Sequence, residues 1–374
     1  MSGGVDSSVA AALLTKATPN NFEKLFGRPT PKGFRGHDVS GVFIKGYYPE
    51  NIPCSWREDR RDAMRVAAIL DIPFYTFDFS REYKKHVIDY MVKEYKKGRT
   101  PNPDIMCNKY IKFDLFLKKA LKMGADKIAT GHYVKLETCN LKHKKNASRF
   151  MLQVSRDSDK DQSYFLWTLK QEQLKHCLFP IGDYQKEEVR KMAKKFKLPV
   201  AEKKDSQGLC FVGEFKMEDF LKDFIKPKPG KIIDTEGREV GEHRGIEYFT
   251  IGQRHGIGAG GGKEPFYVVK KDLKKNILKV STGKKQKNFF RKEVEITDVN
   301  WLSGEEPDPS KTYSARIRYR QSLQKCRIKN LKSKIKNFKK YKVVFGESQK
   351  AVAPGQSLVI YKGKELVGGG IILL

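Results

Sequence analysis

Three stretches of the chain combine residue types that do chemistry. The first is Ser2-Gly3-Gly4-Val5-Asp6-Ser7-Ser8, followed by an apolar run through Leu14. Glycines let backbone N–H groups approach phosphate oxygens with no Cβ in the way, and the serines add hydroxyl donors. The start of the following helix supplies partial positive charge. The stretch lacks the Gly-Lys-Ser/Thr ending of a Walker loop. Alone it also fits a capped, Gly/Ser-rich helix start. The second stretch is Gly98-Arg99-Thr100-Pro101-Asn102-Pro103-Asp104-Ile105-Met106-Cys107-Asn108. Its prolines stiffen a loop that delivers Cys107 to an expected helix from Ile111. A helix start and nearby Lys109 both favour a thiolate, although a free cysteine is more often an inert, buried small hydrophobe. The third stretch, Lys203 to Gly213, surrounds Cys210 with lysines, polar residues and glycine, which suits an accessible thiol.

The elements that must position these residues alternate in the first half. Helix patterns cover Val9–Leu14, Asp59–Leu70, Glu82–Lys97 and Ile111–Met123. Strand patterns cover Val39–Lys45, Phe74–Phe79 and Lys127–Ala129, and residues 20–38 read as a loop insertion. Such alternation predicts an α/β domain on a parallel sheet. After Asp219–Ile225 and the turn at Pro227–Gly230, short strands and turns replace it. Six strand candidates close the chain, namely Val294–Val299, Tyr313–Tyr319, Lys325–Ile328, Lys342–Phe345, Ser357–Tyr361 and Leu366–Ile372, and they predict a small β-barrel. The expected division is 1–212 (α/β), 213–288 (central, mainly β) and 289–374 (barrel).

Composition narrows the partners. Lys and Arg number 75 against 44 Asp and Glu in 374 residues, a formal charge of +31. Residues 311–340 hold 12 Lys/Arg and no acid. A surplus of this kind favours a polyanion, because neutralised phosphates release counterions. No apolar run is long enough to span a membrane. Six cysteines, at 54, 107, 139, 177, 210 and 326, lie at least 32 residues apart. That spacing fits neither a disulfide framework nor a zinc knuckle, and no metal ligands are assigned. A reducing, cytoplasmic setting is expected.

Taken in order, the motifs resemble those of the tRNA-specific 2-thiouridylases, within the PP-loop ATP pyrophosphatases. The resemblance covers essentially the whole chain. It includes Lys160-Asp161-Gln162-Ser163-Tyr164-Phe165-Leu166, Ala129-Thr130-Gly131-His132-Tyr133, Tyr248–Arg254, Arg318-Tyr319-Arg320-Gln321 and Ala353-Pro354-Gly355-Gln356-Ser357. It implies that Ser2, Gly3, Gly4, Val5, Asp6, Ser7, Ser8, Ile44 and Gly131 contact ATP. Asn102, Pro103 and Asp104 would meet the target base, and Lys160, Asp161, Gln162, Arg318 and Tyr319 the tRNA; 1–212 would be the ATP-binding catalytic domain and 213–288 a central tRNA-binding domain. Cys107 would be the nucleophile and Cys210 the persulfide carrier, with Asp104 placed to act as acid or base. The other four cysteines match no catalytic motif and read as structural.

The implied reaction adenylates the C2 oxygen of the wobble uridine with ATP and Mg²⁺, then installs sulfur from a persulfide. The implied partners are tRNA and a sulfur-relay protein or cysteine desulfurase, and a monomer is expected. Two other readings stay open: a superfamily member that adenylates a small molecule, and an RNA-binding protein without enzymatic activity. The strand that feeds such a phosphate loop is missing before Met1, so an upstream extension is expected. A targeting peptide within it would make the location mitochondrial.

Overall fold

The computed structural model describes residues 1–21, 23, 25, 35–48, 56–140, 148–205, 217–259, 264–282, 289–331 and 339–373. Cys54, Cys210 and most of the expected loop insertion lie outside these residues. Helix α1 (Val5–Lys16) is apolar nearly all round, with Val5 and every residue from Ser8 to Leu14 buried, as suits a helix sunk in a core. Helix α2 (Trp56–Ile69) instead buries only the stripe Ala63, Val66 and Ala67. Strands β1 (Gly41–Lys45) and β2 (Phe74–Asp78) pair in parallel, from Gly41 opposite Phe74 to Lys45 opposite Asp78. A second parallel pair joins β3 (Ile128–Ala129) to Cys177–Leu178. This is the expected α/β architecture.

The helix that carries Cys107 departs from expectation. It begins at Pro103, not Ile111, and continues through a π-helical stretch, Cys107–Phe116, into Leu117–Lys122. The Asn102 side chain accepts from the N–H groups of Asp104 (3.1 Å) and Ile105 (3.3 Å), and Pro103 takes the first helical position. Both are standard helix-start chemistry. Cys107 therefore lies inside the helix, at the first residue of its π-helical part, a distortion often found at functional sites.

The middle part is a four-stranded sheet built from Gly230–Ile233, Glu239–His243, Phe266–Asp272 and Ile277–Thr282. It closes over Ile232, Phe249, Val268, Leu278 and Val280. The last part is a closed six-stranded barrel. Its strands are Phe290–Trp301, Tyr313–Arg316, Gln324–Leu331, Lys340–Lys350, Ser357–Lys362 and Glu365–Ile372. The first strand pairs with both Lys340–Lys350 and Glu365–Ile372, which seals the barrel. All six expected strands are present, but the second stops at Arg316, so Arg318 and Tyr319 lie in the turn beyond it. The barrel sheet continues into the α/β part, where Glu365 pairs with Gln153 of the hairpin Val134–Asn140/Ser148–Val154. Among the described residues no helix is long and apolar enough to cross a membrane.

Candidate active site

The glycine-serine loop turns back on itself before α1. Ser7 Oγ accepts from the Ser2 N–H (3.0 Å) and lies 3.2 Å from Ser2 Oγ, while Ser8 Oγ donates to the Gly4 carbonyl (2.8 Å). Gly3 has φ +73°, and a Cβ there would sit 2.2 Å from the Asp59 carbonyl oxygen on α2. Gly131 packs against the loop from the other side, where a Cβ would meet Asp6 C and Ser7 N at 2.7 Å. Gly4 differs. A Cβ on it would meet only Ser2 Oγ, at 3.5 Å, so open space lies before the loop. The backbone is thus clamped behind and free in front, as an anion cradle requires. Ile44 sits on β1 and is buried in the core behind.

Asp6 does not face that space alone. Its Oδ1 accepts from Tyr133 Oη (2.8 Å) and Lys186 Nζ (2.7 Å). Lys186 also reaches Asp205 (2.7 Å), which binds Lys160 (2.6 Å) and Arg190 (2.8 Å). Burial favours the neutral acid at Asp205, but hydrogen bonds from Lys160 and Lys186 outweigh it and hold its carboxyl at about 2. Lys203, two residues earlier, bridges Asp59 and Asp62, both at 2.7 Å. The segment that leads to Cys210 is therefore pinned to the phosphate loop on one side and to α2 on the other. Lys186 carries no local motif and was not legible in the sequence.

Cys107 is fully buried, among Ile105, Met106 and Ile111. The next residue, Asn108, donates from Nδ2 to the Phe165 carbonyl (3.2 Å), while its buried Oδ1 has no hydrogen-bond partner among the described residues. Phe165 belongs to the Lys160–Leu166 stretch, and its ring lies 4.6 Å from that of Tyr319. The structure thus brings together the two motifs assigned to tRNA and sets them against the helix of Cys107. Within them the roles divide. Lys160 is half-buried on Asp205, and Gln162 Oε1 accepts from the Tyr133 N–H (3.0 Å). Asp161 is only 3% exposed. Its Oδ1 accepts from the N–H groups of Ser155 and Ser163, and its Oδ2 pairs with Arg316 of the barrel. A carboxylate so occupied faces the protein, because its position after Lys160 says nothing of direction. Arg318 donates to the carbonyls of Ile251 (3.1 Å) and Ala351, which ties the middle part to the barrel.

Comparison with known proteins now bears on this arrangement. Residues 32–214 match the family described as tRNA methyl transferase HUP domain, 218–282 its PRC-barrel domain, and 291–372 the aminomethyltransferase beta-barrel domain. The tRNA-specific 2-thiouridylase MnmA of Nitrosomonas europaea is 43% identical over 380 residues, covering 100% of this chain and 96% of its own. The proteins of the same name from Bacillus velezensis (42% over 375 residues, 100% and 93%) and Shouchella clausii (41% over 374 residues, 100% and 94%) are similar throughout. The chain belongs to the tRNA-specific 2-thiouridylase family. It is an enzyme of the tRNA sulfurtransferase class. Two of the family descriptions speak of methyl transfer, whereas the full-length relatives carry the thiolation name.

Of the other thiols, Cys177 and Cys326 are buried and Cys139 is exposed. Burial pushes Cys177 and Cys326 up to about 12, and Cys177 Sγ donates to the Gln173 carbonyl (3.1 Å). No cluster of three or more metal-ligating side chains occurs among the described residues.

Proposed function

We propose that this 2-thiouridylase adenylates the C2 oxygen of the wobble uridine of tRNA and replaces it with sulfur carried as a persulfide on Cys210. The observation that carries the reading is the cradle at Gly4, clamped by Gly3 and Gly131 at the head of α1, whose apolar residues fill one core of the α/β part while Cys107 lies in another. A uracil carbonyl oxygen is a poor leaving group, and transfer of AMP to it makes it a good one. The N–H groups at the start of α1 and the serine hydroxyls would hold the pyrophosphate end of ATP as negative charge builds there. Mg²⁺, when bound, would neutralise phosphate charge. Asp6 is a carboxylate within the loop itself, and Lys186 and Tyr133 fix its orientation.

The terminal sulfur of the Cys210 persulfide attacks C2 and AMP departs, leaving a base–S–S–Cys210 bridge. The Cys107 thiolate attacks Cys210 Sγ, the S–S bond breaks, and its electron pair stays on the sulfur of the base. The products are 2-thiouridine and a Cys107–Cys210 disulfide, which a dithiol or an equivalent two-electron donor must reduce. Asn102, Pro103 and Asp104 form the helix start one turn before Cys107, where a splayed-out base would arrive. Lys160, Gln162 and Tyr319 would meet the tRNA, and Asp161 and Arg318 would hold that surface in place from within. The +31 charge favours the polyanion, and a relay protein or desulfurase would supply the persulfide.

The test is incubation with ATP, a persulfide donor and unmodified tRNA, with mass analysis of the wobble nucleoside. Cys107→Ser and Cys210→Ser should each abolish 2-thiouridine while ATP binding survives. Full activity in either variant would refute the paired-thiol chemistry.

A further inference from the structure

The Ala353–Ser357 motif lies in the barrel, far in sequence from the loop phosphate cradle and both thiols, and the mechanism above gives it no role. Its place in the fold suggests one. Gln356 Nε2 donates to the carbonyls of Thr100 (2.8 Å) and Pro101 (3.4 Å), and the Thr100 N–H donates to the Pro354 carbonyl (2.9 Å). Gly355, with φ +89°, lies so close that a Cβ there would stand 3.0 Å from Arg99 Cβ and 3.1 Å from the Thr100 backbone. The turn itself is anchored. The Gly355 N–H donates to the Ile372 carbonyl (3.0 Å), and the Ile372 N–H returns a bond to the Gln356 carbonyl (2.8 Å). The middle part touches the same loop, through Thr250 Oγ1 on Thr100 Oγ1 (3.1 Å) and Leu273 against Gly98.

What this turn grips is the approach to Cys107. Pro101 is followed by Asn102, whose side chain caps the helix, and Cys107 lies one turn further on. A rigid turn in one part of the molecule therefore sets the backbone at the start of the helix in another. We propose that Gln356, supported by Gly355 and Thr250, is a positioning residue for Cys107: the barrel and middle sheet hold the 98–102 loop so that the thiol is aligned when tRNA is bound. The inference rests on the reading of Cys107 as nucleophile. Sites assembled from one backbone held by another lose rate sharply when the supporting contact is removed, because small misplacements of a reacting atom are costly.

The experiment uses the full chain. Gln356→Met keeps the length of the side chain and removes the donor. Its single-turnover thiolation rate, at saturating ATP and persulfide donor, should fall tenfold or more. Affinities for tRNA and ATP should stay within twofold and the melting temperature within a few degrees. Alkylation of Cys107 by iodoacetamide in the ATP–tRNA complex should slow in parallel, which reads the thiol's placement without turnover. Thr250→Val removes one hydroxyl contact and little volume. It covers the case in which Gln356→Met does not fold: a rate loss at unchanged melting temperature supports the inference, and an unchanged rate overturns it. Loss of rate accompanied by equal loss of tRNA or ATP affinity would also overturn it. Cys107→Ser beside them separates the two ideas. If it keeps its rate, the nucleophile reading falls and this inference with it. If it is inactive while Gln356→Met is not slowed, only this inference falls.

Discussion

A side chain on Gly131 would collide with backbone, which cannot rotate away. The atoms it would meet are Asp6 C and Ser7 N, in the middle of the phosphate loop. Gly131→Ala should therefore push the loop off its cradle, and ATP affinity should fall at least tenfold by titration calorimetry, with a stability loss of about 1–3 kcal/mol from overpacking. Gly4→Ala, whose Cβ meets only Ser2 Oγ, should cost far less stability yet still weaken ATP binding, because the added methyl occupies the open side. Equal ATP affinity in wild type and Gly131→Ala would remove the cradle argument. The same residue scale shows what the sequence carries. The loop glycines and Cys107 stand in motifs, so their chemistry can be read by type and spacing. Asp161 stands in a motif too, yet its carboxylate points inward to Arg316, because direction depends on a partner 155 residues away. Lys186 has no motif, and only folding brings it between Asp6 and Asp205.

Elements were legible where periodicity or strand alternation was strong, as in α1, α2 and the six barrel strands. The start of the Cys107 helix was not, because Pro101 and Pro103 read as loop residues while Asn102 and Pro103 act as cap and first turn. The turn after β3 permits a sharper test. His132 is buried against Phe113 and Phe179, with Nδ1 2.8 Å from Thr130 Oγ1. Burial, then the charge of Lys112, holds its pKa well below the usual 6.5, so the folded protein keeps the ring neutral. The unfolded chain takes up a proton below about 6.5. Acid therefore favours unfolding, and stability falls as pH drops from about 6.5 towards the folded value, approaching 1.4 kcal/mol per pH unit, an order-of-magnitude slope. His132→Gln keeps a hydrogen-bonding group for Thr130 and removes the titration. Denaturant melts from pH 7 to 5 should be flatter in the variant by about that slope. Parallel curves would show that His132 does not govern acid stability.

At the scale of the whole molecule, three parts must hold one geometry, and side chains cross between them at several places. Arg318 ties the middle sheet to the barrel, and Gln356 ties the barrel to the Cys107 loop. The Asp161–Arg316 pair joins the α/β part to the barrel from within. Arg316 also donates from Nε to Tyr361 Oη (3.2 Å), and its guanidinium lies 4.8 Å from the Tyr361 ring centroid. Both charges are withdrawn from water, so the pair itself adds little over a packed apolar substitute, but removal of one partner strands the other. Asp161→Asn should therefore destabilise the protein by about 3–5 kcal/mol in urea melts. The double variant Asp161→Asn/Arg316→Met should recover part of that loss, because no buried charge is then left unpaired. Since the pair sits directly behind Lys160 and Gln162, Asp161→Asn should also weaken tRNA binding while ATP affinity holds. A loss below about 1 kcal/mol, or a double variant worse than the sum of the singles, would show that this pair does not hold the α/β part to the barrel, which the sheet edge at Glu365 and Gln153 and the Asn300 amide on the Trp167 and Leu169 carbonyls also join.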